Sequence, residues 1–170
     1  MTFWNNPSAL LPKQQFRWIV SFDKHDYKSN KEVQTNAIPY WFVKSVDKPK
    51  VTVGTPEHKF FGHTFKFPGN VTWEDIGITL IDPVNPDAVN ILANILYQSG
   101  YNPPVSANTT LSTMSKEKTT NTLGEIYIRQ LDAQGAIIES WTLHNPIIKN
   151  ADFGGQLSYD NEGLIEVKMT

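Results

Sequence analysis

The chain has 170 residues, no cysteine and a formal net charge of −2 at pH 7. Its length suits one domain with a hydrophobic core. The lack of cysteine excludes disulfides, thiolate metal sites and thiol nucleophiles, and the lack of a basic excess argues against tight binding to nucleic acid. The N-terminal sequence does not match a signal peptide, and no apolar stretch approaches the roughly 20 residues that span a bilayer.

Charged residues make up 19% of the chain, below the roughly 25% of an average soluble domain. Two interpretations remain open. Much of the surface contacts other copies of the chain, or the surface consists of polar loops rich in Asn and Thr. Composition alone does not separate them.

The first segment, residues 1–15, contains two prolines and two asparagines and predicts an extended arm. Its large apolar residues are Phe3, Trp4, Leu10 and Leu11. A free tail would expose them to water, so we expect the arm to pack on its own domain or on a neighbouring copy. These four residues are therefore candidates for contacts between subunits.

Two strands are predicted next. Residues 16–22 alternate with period two, which is typical of a half-buried strand, and residues 38–46 form a second strand that begins at an aromatic cluster. The stretch 47–58 is ambiguous, because prolines and a glycine surround a short Val-Thr-Val sequence. It is a short edge strand or an extended loop that leaves the body.

Val51 and Val53 in this stretch have no obvious partner within their own domain. We therefore expect residues 48–57 to pack on a neighbouring subunit. The contact candidates are Lys48, Pro49, Lys50, Val51, Thr52, Val53 and Gly54.

Residues 59–69 contain a turn or kink near Gly62, and residues 71–82 predict one continuous strand with a bulge at its two acidic residues. Several aromatic residues fall on the phase of a strand that should face the core. They are Trp18, Phe22, Phe65, Trp73 and Trp141.

One helix is well specified at about residues 86–99. Asn85 is the expected N-cap, apolar residues recur with helical spacing, and Gly100 is the expected C-terminal cap. The residues that follow, 101–122, are rich in Asn, Thr and Ser and predict a long loop.

The last third predicts a three-stranded antiparallel meander. Two alternating segments are joined by a turn at residues 132–135, and a Gly-rich corner then leads to a final strand over residues 165–169. The alternation continues to Thr170, which leaves open whether the final strand extends further. The predicted fold is a single domain, 1–170, mainly β: an antiparallel sandwich or partly closed barrel with one flanking helix.

The sequence offers little chemistry. The four histidines form no HxH or HExxH pair, the carboxylates are scattered, and no nucleotide-binding or nucleophile motif occurs. We expect no enzymatic activity, no cofactor and no metal, with His63 and His144 on the surface.

The C-terminal third also carries a family resemblance. Its most specific residues are Gln130-Leu131-Asp132, Gly135, Glu139, Trp141, Phe153-Gly154, Leu157-Ser158-Tyr159-Asp160 and Ile165. With the opening strand at Phe16, Trp18, Val20 and Phe22, they resemble the tail tube proteins of contractile-tailed bacteriophages. The tubes of type VI secretion and phage-like injection systems are more distantly similar. The resemblance covers residues 16–169 with gaps.

This resemblance implies a structural protein of the virion tail, assembled in the host cytoplasm. Hexameric rings would stack into a hollow tube that conducts DNA without binding it specifically. Sheath, baseplate and tail terminator proteins would be its partners, and the loop 48–57 would reach the adjacent ring. Two alternatives remain: a baseplate tube-initiator protein of the same fold, or a β-sandwich module that binds a carbohydrate or receptor.

Overall fold

A computed structural model describes residues 12–26, 31–33, 39–103, 113–160 and 162–170. Two four-stranded antiparallel sheets form the body. The first has the order β10-β9-β1-β2, from strands β1 (Trp18–Asp26), β2 (Lys31–Val33), β9 (Glu125–Leu131) and β10 (Ile137–Leu143). The second has the order β11-β12-β8-β3, from β3 (Val43–Val46), β8 (Ile78–Ile81), β11 (Ala151–Asp152) and β12 (Glu166–Met169).

Both sheets contribute to one hydrophobic core. The period-two pattern explains which side chains enter it, since Ile126 and Ile128 of β9 are buried while the residues on either side of each are only half-buried. The core side chains are Val20, Phe22, Phe42, Val43, Ile78, Leu80, Leu92, Ile95, Leu123, Ile126, Ile128, Val167 and Met169. The mainly β, antiparallel fold with a flanking helix is confirmed, and the eight described strands of the body form two sheets, not a closed barrel.

The flanking helix is α1 (Ala88–Gln98), close to the predicted range. Its N-cap is Asp87, not the expected Asn85, because the Asp87 carboxylate accepts the backbone N–H of Asn90 at 3.0 Å. At the other end, the N–H groups of Gly100 and Tyr101 bond back to the carbonyls of Tyr97 and Leu96. Gly100 has φ +106°, so this is a Schellman-type cap that favours glycine, as predicted.

A second helix, α2 (Lys116–Leu123), occupies the end of the predicted loop 101–122 and ends one residue beyond it. Ser115 caps it by accepting the N–H of Lys118 at 3.2 Å. The sequence KEKTTNTL has no broad apolar face, and only Thr119 and Leu123 are buried. The loop prediction was therefore wrong for these residues, because two anchoring side chains and a cap leave little periodicity to detect.

Three strand predictions need correction. Residues 38–46 divide into a 3-10 turn at Tyr40–Phe42 and strand β3. The predicted three-stranded meander is wrong in its last member, because β12 pairs with β8 and β11 in the second sheet while β9 and β10 remain in the first. The turn between β9 and β10 is as predicted, with Asp132 Oδ1 accepting the N–H groups of Gln134 and Ala136 at 2.8 Å.

The third correction concerns residues 71–82, which form two strands in different places. Strand β7 (Val71–Trp73) pairs with β4 (Val51–Val53), and β5 (Glu57–Phe60) pairs with β6 (His63–Lys66). Together they form a hairpin outside the two main sheets. We call residues 47–77 the extension. No helix in the described part of the chain is long and apolar enough to cross a membrane.

Candidate assembly surface

Backbone hydrogen bonds hold the two ends of the extension together where it leaves the body. The N–H of Asp47 donates to the carbonyl of Gly77 at 2.9 Å, and the N–H of Glu74 donates to the carbonyl of Lys50 at 2.9 Å. These backbone bonds close the foot of the hairpin. The two arms therefore leave the body side by side, and the chain re-enters the second sheet directly at β8.

A polar cluster at the edge strand β10 holds this foot. The Lys48 ammonium donates to Gln130 Oε1 and to Glu139 Oε1, both at 2.8 Å. Lys13 forms a further ion pair with Glu139, and the Trp141 indole N–H donates to Glu139 Oε1 at 2.6 Å. Hydrogen bonds from Lys13, then Lys48 and Trp141, lower the pKa of Glu139 to about 2. The carboxylate stays ionised and ties the foot to the body.

The proximal part of the extension is the β4–β7 ladder. Val51 lies opposite Trp73 and Val53 lies opposite Val71, while Thr52 and Thr72 form the pair between them. Cross-strand partners point to the same face of a ribbon, so the valines and the tryptophan share one apolar face. All four are about half exposed or more.

An irregular join separates this ladder from the distal hairpin. The N–H of Gly54 donates to the carbonyl of Asn70 at 2.8 Å, and the N–H of Gly69 donates to the carbonyl of Gly54 at 2.6 Å. A Cβ added at Gly69 would lie 2.7 Å from Pro56 and 2.8 Å from the carbonyl oxygen of Gly54. Glycine is required here because the two arms approach too closely for a side chain.

The distal β5–β6 hairpin ends in two aromatic residues, and we call residues 57–66 the tip hairpin. The Phe60 and Phe61 rings meet edge to face with centroids 5.1 Å apart. Phe61 is 89% exposed and has φ +47°, a left-handed conformation that costs a bulky residue about 1–2 kcal/mol. The ladder pairs His58 with Phe65 and Phe60 with His63 on one face.

The extension as a whole exposes apolar surface that the described part of its own chain does not cover. Every residue of its four strands is exposed. A two-stranded hairpin is marginal in water by itself, and a large exposed apolar patch is typical of an interaction site. The exposed apolar side chains are Val51, Val53, Phe60, Phe61, Phe65, Phe67, Val71 and Trp73.

An open apolar groove of about 460 Å³ lies at the foot of the extension. We call it the foot groove. Its buried lining includes Leu123, Ile126 and Met169, and its exposed lining includes Trp73 and Ile147. Acidic residues Glu74 and Asp75, with His144 and Lys149, supply its polar lining.

The predicted contact residues divide into three groups. Phe3, Trp4, Leu10 and Leu11 lie outside the described residues. Lys48 lies at the foot, where its ammonium contacts Gln130 and Glu139 of its own body. Pro49, Lys50, Val51, Thr52, Val53 and Gly54 lie on the proximal arm, with the β4 valines exposed.

The β4 stretch is not an isolated loop, because β7 pairs with it along its whole length. Sequence reasoning missed the tip hairpin as part of the same surface. Two short apolar segments flanking Gly62 were the available signal.

The aromatic core predictions fail for the extension. Trp73 is 63% exposed and Phe65 is 49% exposed, because both lie on the ribbon and not in a main sheet. Trp141 is 37% exposed on the edge strand β10. Trp18 and Phe22 do pack into or against the core as predicted.

The histidines show no catalytic arrangement in the described part of the chain. His63 is exposed in the tip hairpin, and His144 is exposed with its Nδ1 2.8 Å from Glu125 Oε1. Among the described residues, no group of three or more His, Asp or Glu side chains could hold a metal ion.

Comparison with known proteins identifies the fold. No protein-family model and no curated sequence matches the chain. Solved structures do match. A chain of the PVC sheath/tube terminator of an extracellular contractile injection system, in the extended state, has a TM-score of 0.61 at 15% identity, over 95% of this chain and 92% of that chain.

Two further assemblies contain similar chains. The PVC sheath–tube complex gives a TM-score of 0.58 at 16% identity, covering 93% of this chain and 84% of that chain. The anti-feeding prophage baseplate, solved with 6-fold symmetrisation, gives 0.57 at 11% identity, covering 95% and 91%. At such identities the similarity establishes a shared fold.

Proposed function

We propose that this chain is a ring-forming structural subunit of the tube of a contractile injection tail, phage or phage-like. The observation that carries the proposal is the extension, a long β-ribbon with uncovered apolar faces on a protein that otherwise buries a normal core. Such a ribbon gains stability when a neighbouring copy covers it. The shared fold with chains of three contractile assemblies supports this reading.

The sheet edges support the same conclusion. β10 and β2 end the first described sheet, and β11 and β3 end the second. Unpaired strand edges invite pairing with other chains, and closing a ring removes that hazard. A head-to-tail contact that does not close then propagates as a stack of rings.

The finer assembly follows from the family resemblance. Six copies form each ring, rings stack through the extension, and DNA passes through the lumen without specific binding. The formal charge of −2 suits a lumen that does not retain a polyanion. Sheath, baseplate and terminator proteins are the proposed partners in the assembled tail.

A tube-terminating or tube-initiating subunit is the second candidate. The same fold occurs in chains of a sheath/tube terminator and of a baseplate, so the fold does not separate the three positions along a tail. A tube subunit forms long tubes by itself, whereas a terminator or initiator forms single rings that add to one end of a tube.

Electron microscopy and analytical ultracentrifugation of the purified chain test the proposal. The decisive variant replaces residues 51–73 with a Gly-Gly turn. Lys50 and Glu74 are already joined by a backbone hydrogen bond of 2.9 Å. The Gly-Gly turn therefore connects two residues that are neighbours in the folded chain. We expect the variant to keep the β-sheet circular dichroism signal of the body and its unfolding temperature but to lose stacking.

A shorter deletion of residues 49–55 is less clean, because it leaves β7 without its partner. Its comparison with the longer deletion separates loss of contact surface from local unfolding. A wild-type chain that remains monomeric at high concentration in near-physiological salt contradicts the proposal. Tubes formed equally well by the 51–73 deletion contradict the role of the extension.

A further inference from the structure

The extension and the foot groove lie at opposite ends of one element. The arm from Lys50 to Phe61 spans 11 residue steps, so it is at most about 36 Å long at the usual rise of a strand. The tip rings are exposed, so the tip hairpin does not fill the foot groove of its own chain. The exposed aromatic pair and the open apolar groove therefore both lack a partner within the described part of the subunit.

We infer that the tip hairpin of one copy inserts Phe60 and Phe61 into the foot groove of a second copy. The inference rests on the proposed function and names the surface that receives the extension. It is a heterologous contact, because a different patch of each copy takes part, and such contacts build rings or filaments.

Size supports this pairing. An apolar cavity of about 150 Å³ holds one benzene ring, so a groove of about 460 Å³ has room for two phenyl rings. The buried lining at Leu123, Ile126 and Met169 is apolar, which suits aromatic guests. The Phe61 ring contacts Phe60 and is 89% exposed, so it is available to enter a partner.

Charge supports it as well. The tip hairpin carries Lys59 and Lys66 against Glu57, with two histidines beside them, so its formal charge is positive. The groove lining carries Glu74 and Asp75 against Lys149, so its formal charge is negative. Opposite charges around an apolar contact guide the approach and fix the register of partners.

Disulfide trapping tests the contact directly, because the chain has no cysteine of its own. Single variants Phe61→Cys and Ile147→Cys are mixed before assembly and oxidised gently. Both positions are exposed, so neither change disturbs the fold. We expect a cross-linked dimer on a non-reducing gel, formed roughly tenfold faster than in the control mixture, because docking raises the effective thiol concentration.

The control mixture pairs Phe61→Cys with Val84→Cys. Val84 is fully exposed and does not line the groove. A second measurement compares Ile147→Asp, which we expect to weaken assembly, with Val84→Asp, which should leave it unchanged. Thermal unfolding of each variant confirms that the subunit is intact.

Each outcome has a distinct meaning. If the wild-type chain assembles but the groove mixture cross-links no faster than the control, the inference is overturned and the proposed function stands. If the wild-type chain stays monomeric, both are overturned. If the double variant Phe61→Cys/Ile147→Cys closes a disulfide within a monomer, the tip docks on its own groove and the contact between copies is rejected.

Discussion

Strands β7 and β8 lie four residues apart in the sequence, show the same alternation, and differ completely in burial. In β8, Ile78 is 4% exposed and Leu80 is fully buried, whereas in β7 Val71 is 60% and Trp73 is 63% exposed. Alternation specifies a strand with one apolar face. It does not specify whether that face is covered by the same chain or by another one.

The difference arises at residues 74–77, where the chain passes from the ribbon into the second sheet. Glu74 still belongs to the foot through its bond to Lys50, and Gly77 already accepts from Asp47. The Asp47–Gly77 bond therefore marks the boundary between the extension and the second sheet. One apparent strand in sequence is thus two strands in two environments.

A matched pair of phenylalanines tests this contrast with the largest expected effect. Phe42 is fully buried in the body and Phe61 is 89% exposed at the tip. Phe42→Ala should lower the free energy of unfolding by about 3–5 kcal/mol, through lost burial and a cavity. Phe61→Ala should change it by about 0.5 kcal/mol or less, as exposed substitutions usually do. Denaturant unfolding of the dilute full-length chain measures both, and the 51–73 deletion, which lacks Phe61, provides a second background for Phe42→Ala.

The effects on assembly should have the opposite order. At concentrations where each subunit is folded, Phe61→Ala should reduce self-association more than Phe42→Ala does. Phe61→Ala should weaken self-association while leaving the subunit intact. A large loss of subunit stability from Phe61→Ala would mean that the tip packs within its own chain, and the contrast between body and extension would then disappear.

Much of the body was predictable because its signals are local and redundant. The α1 helix was specified by its spacing of apolar residues together with Gly100, and the β9–β10 hairpin by two alternating segments around Asp132 and Gly135. The sheet to which β12 belongs was not predictable, because strand pairing over a long sequence separation leaves no mark in the strand itself. Helix α2 was missed because a cap and only two buried side chains, Thr119 and Leu123, hold it.

The candidate surface was predictable only in part. Prolines and Gly54 around Val51 and Val53 left open a short edge strand or an extended loop that leaves the body, and β4 is a strand of the extension. The inward assignment of Trp73 was wrong, since period two fixes the relative phase of side chains and not the partner that covers them. The foot groove combines residues from β8, β9, β12 and the 143–149 stretch. Because these segments are distant in the sequence, no local pattern predicts the groove.

Substitution of Trp73, on the exposed strand β7, tests the contrast between body and extension with a smaller expected change in stability. Trp73→Ala should lower the free energy of unfolding of an isolated subunit by less than about 1 kcal/mol, because most of the side chain already contacts water. Trp141→Ala should cost more than Trp73→Ala, since it removes the indole hydrogen bond to Glu139 and a larger buried fraction. Chemical denaturation ranks the two, and sedimentation should show weaker assembly for Trp73→Ala. If Trp73→Ala lowered the free energy of unfolding as much as the loss of a core tryptophan does, β7 would have to pack against the body of its own subunit.

The smallest expected effect concerns the junction of the two regions, where Glu139 of the body holds Lys48 of the extension. The pKa of Glu139 falls from 4.5 to about 2 through its bonds to Lys13, Lys48 and Trp141. A carboxylate whose pKa is depressed on folding stabilises the folded state above its unfolded pKa and loses that contribution as pH falls through its folded value. Glu139→Gln should therefore lower the unfolding temperature slightly above about pH 4.5, with the difference from wild type shrinking toward pH 2.

Glu162→Gln, which removes one exposed carboxylate elsewhere, controls for the change in net charge. Hydrogen exchange adds a local readout, because the Glu74 N–H that closes the foot should exchange faster in Glu139→Gln than in the control. A difference in unfolding temperature that stays constant from pH 7 to pH 2 would show that Glu139 acts through packing and not through its charge. Unchanged exchange at Glu74 would show that the backbone bonds of the foot hold the extension without the polar cluster.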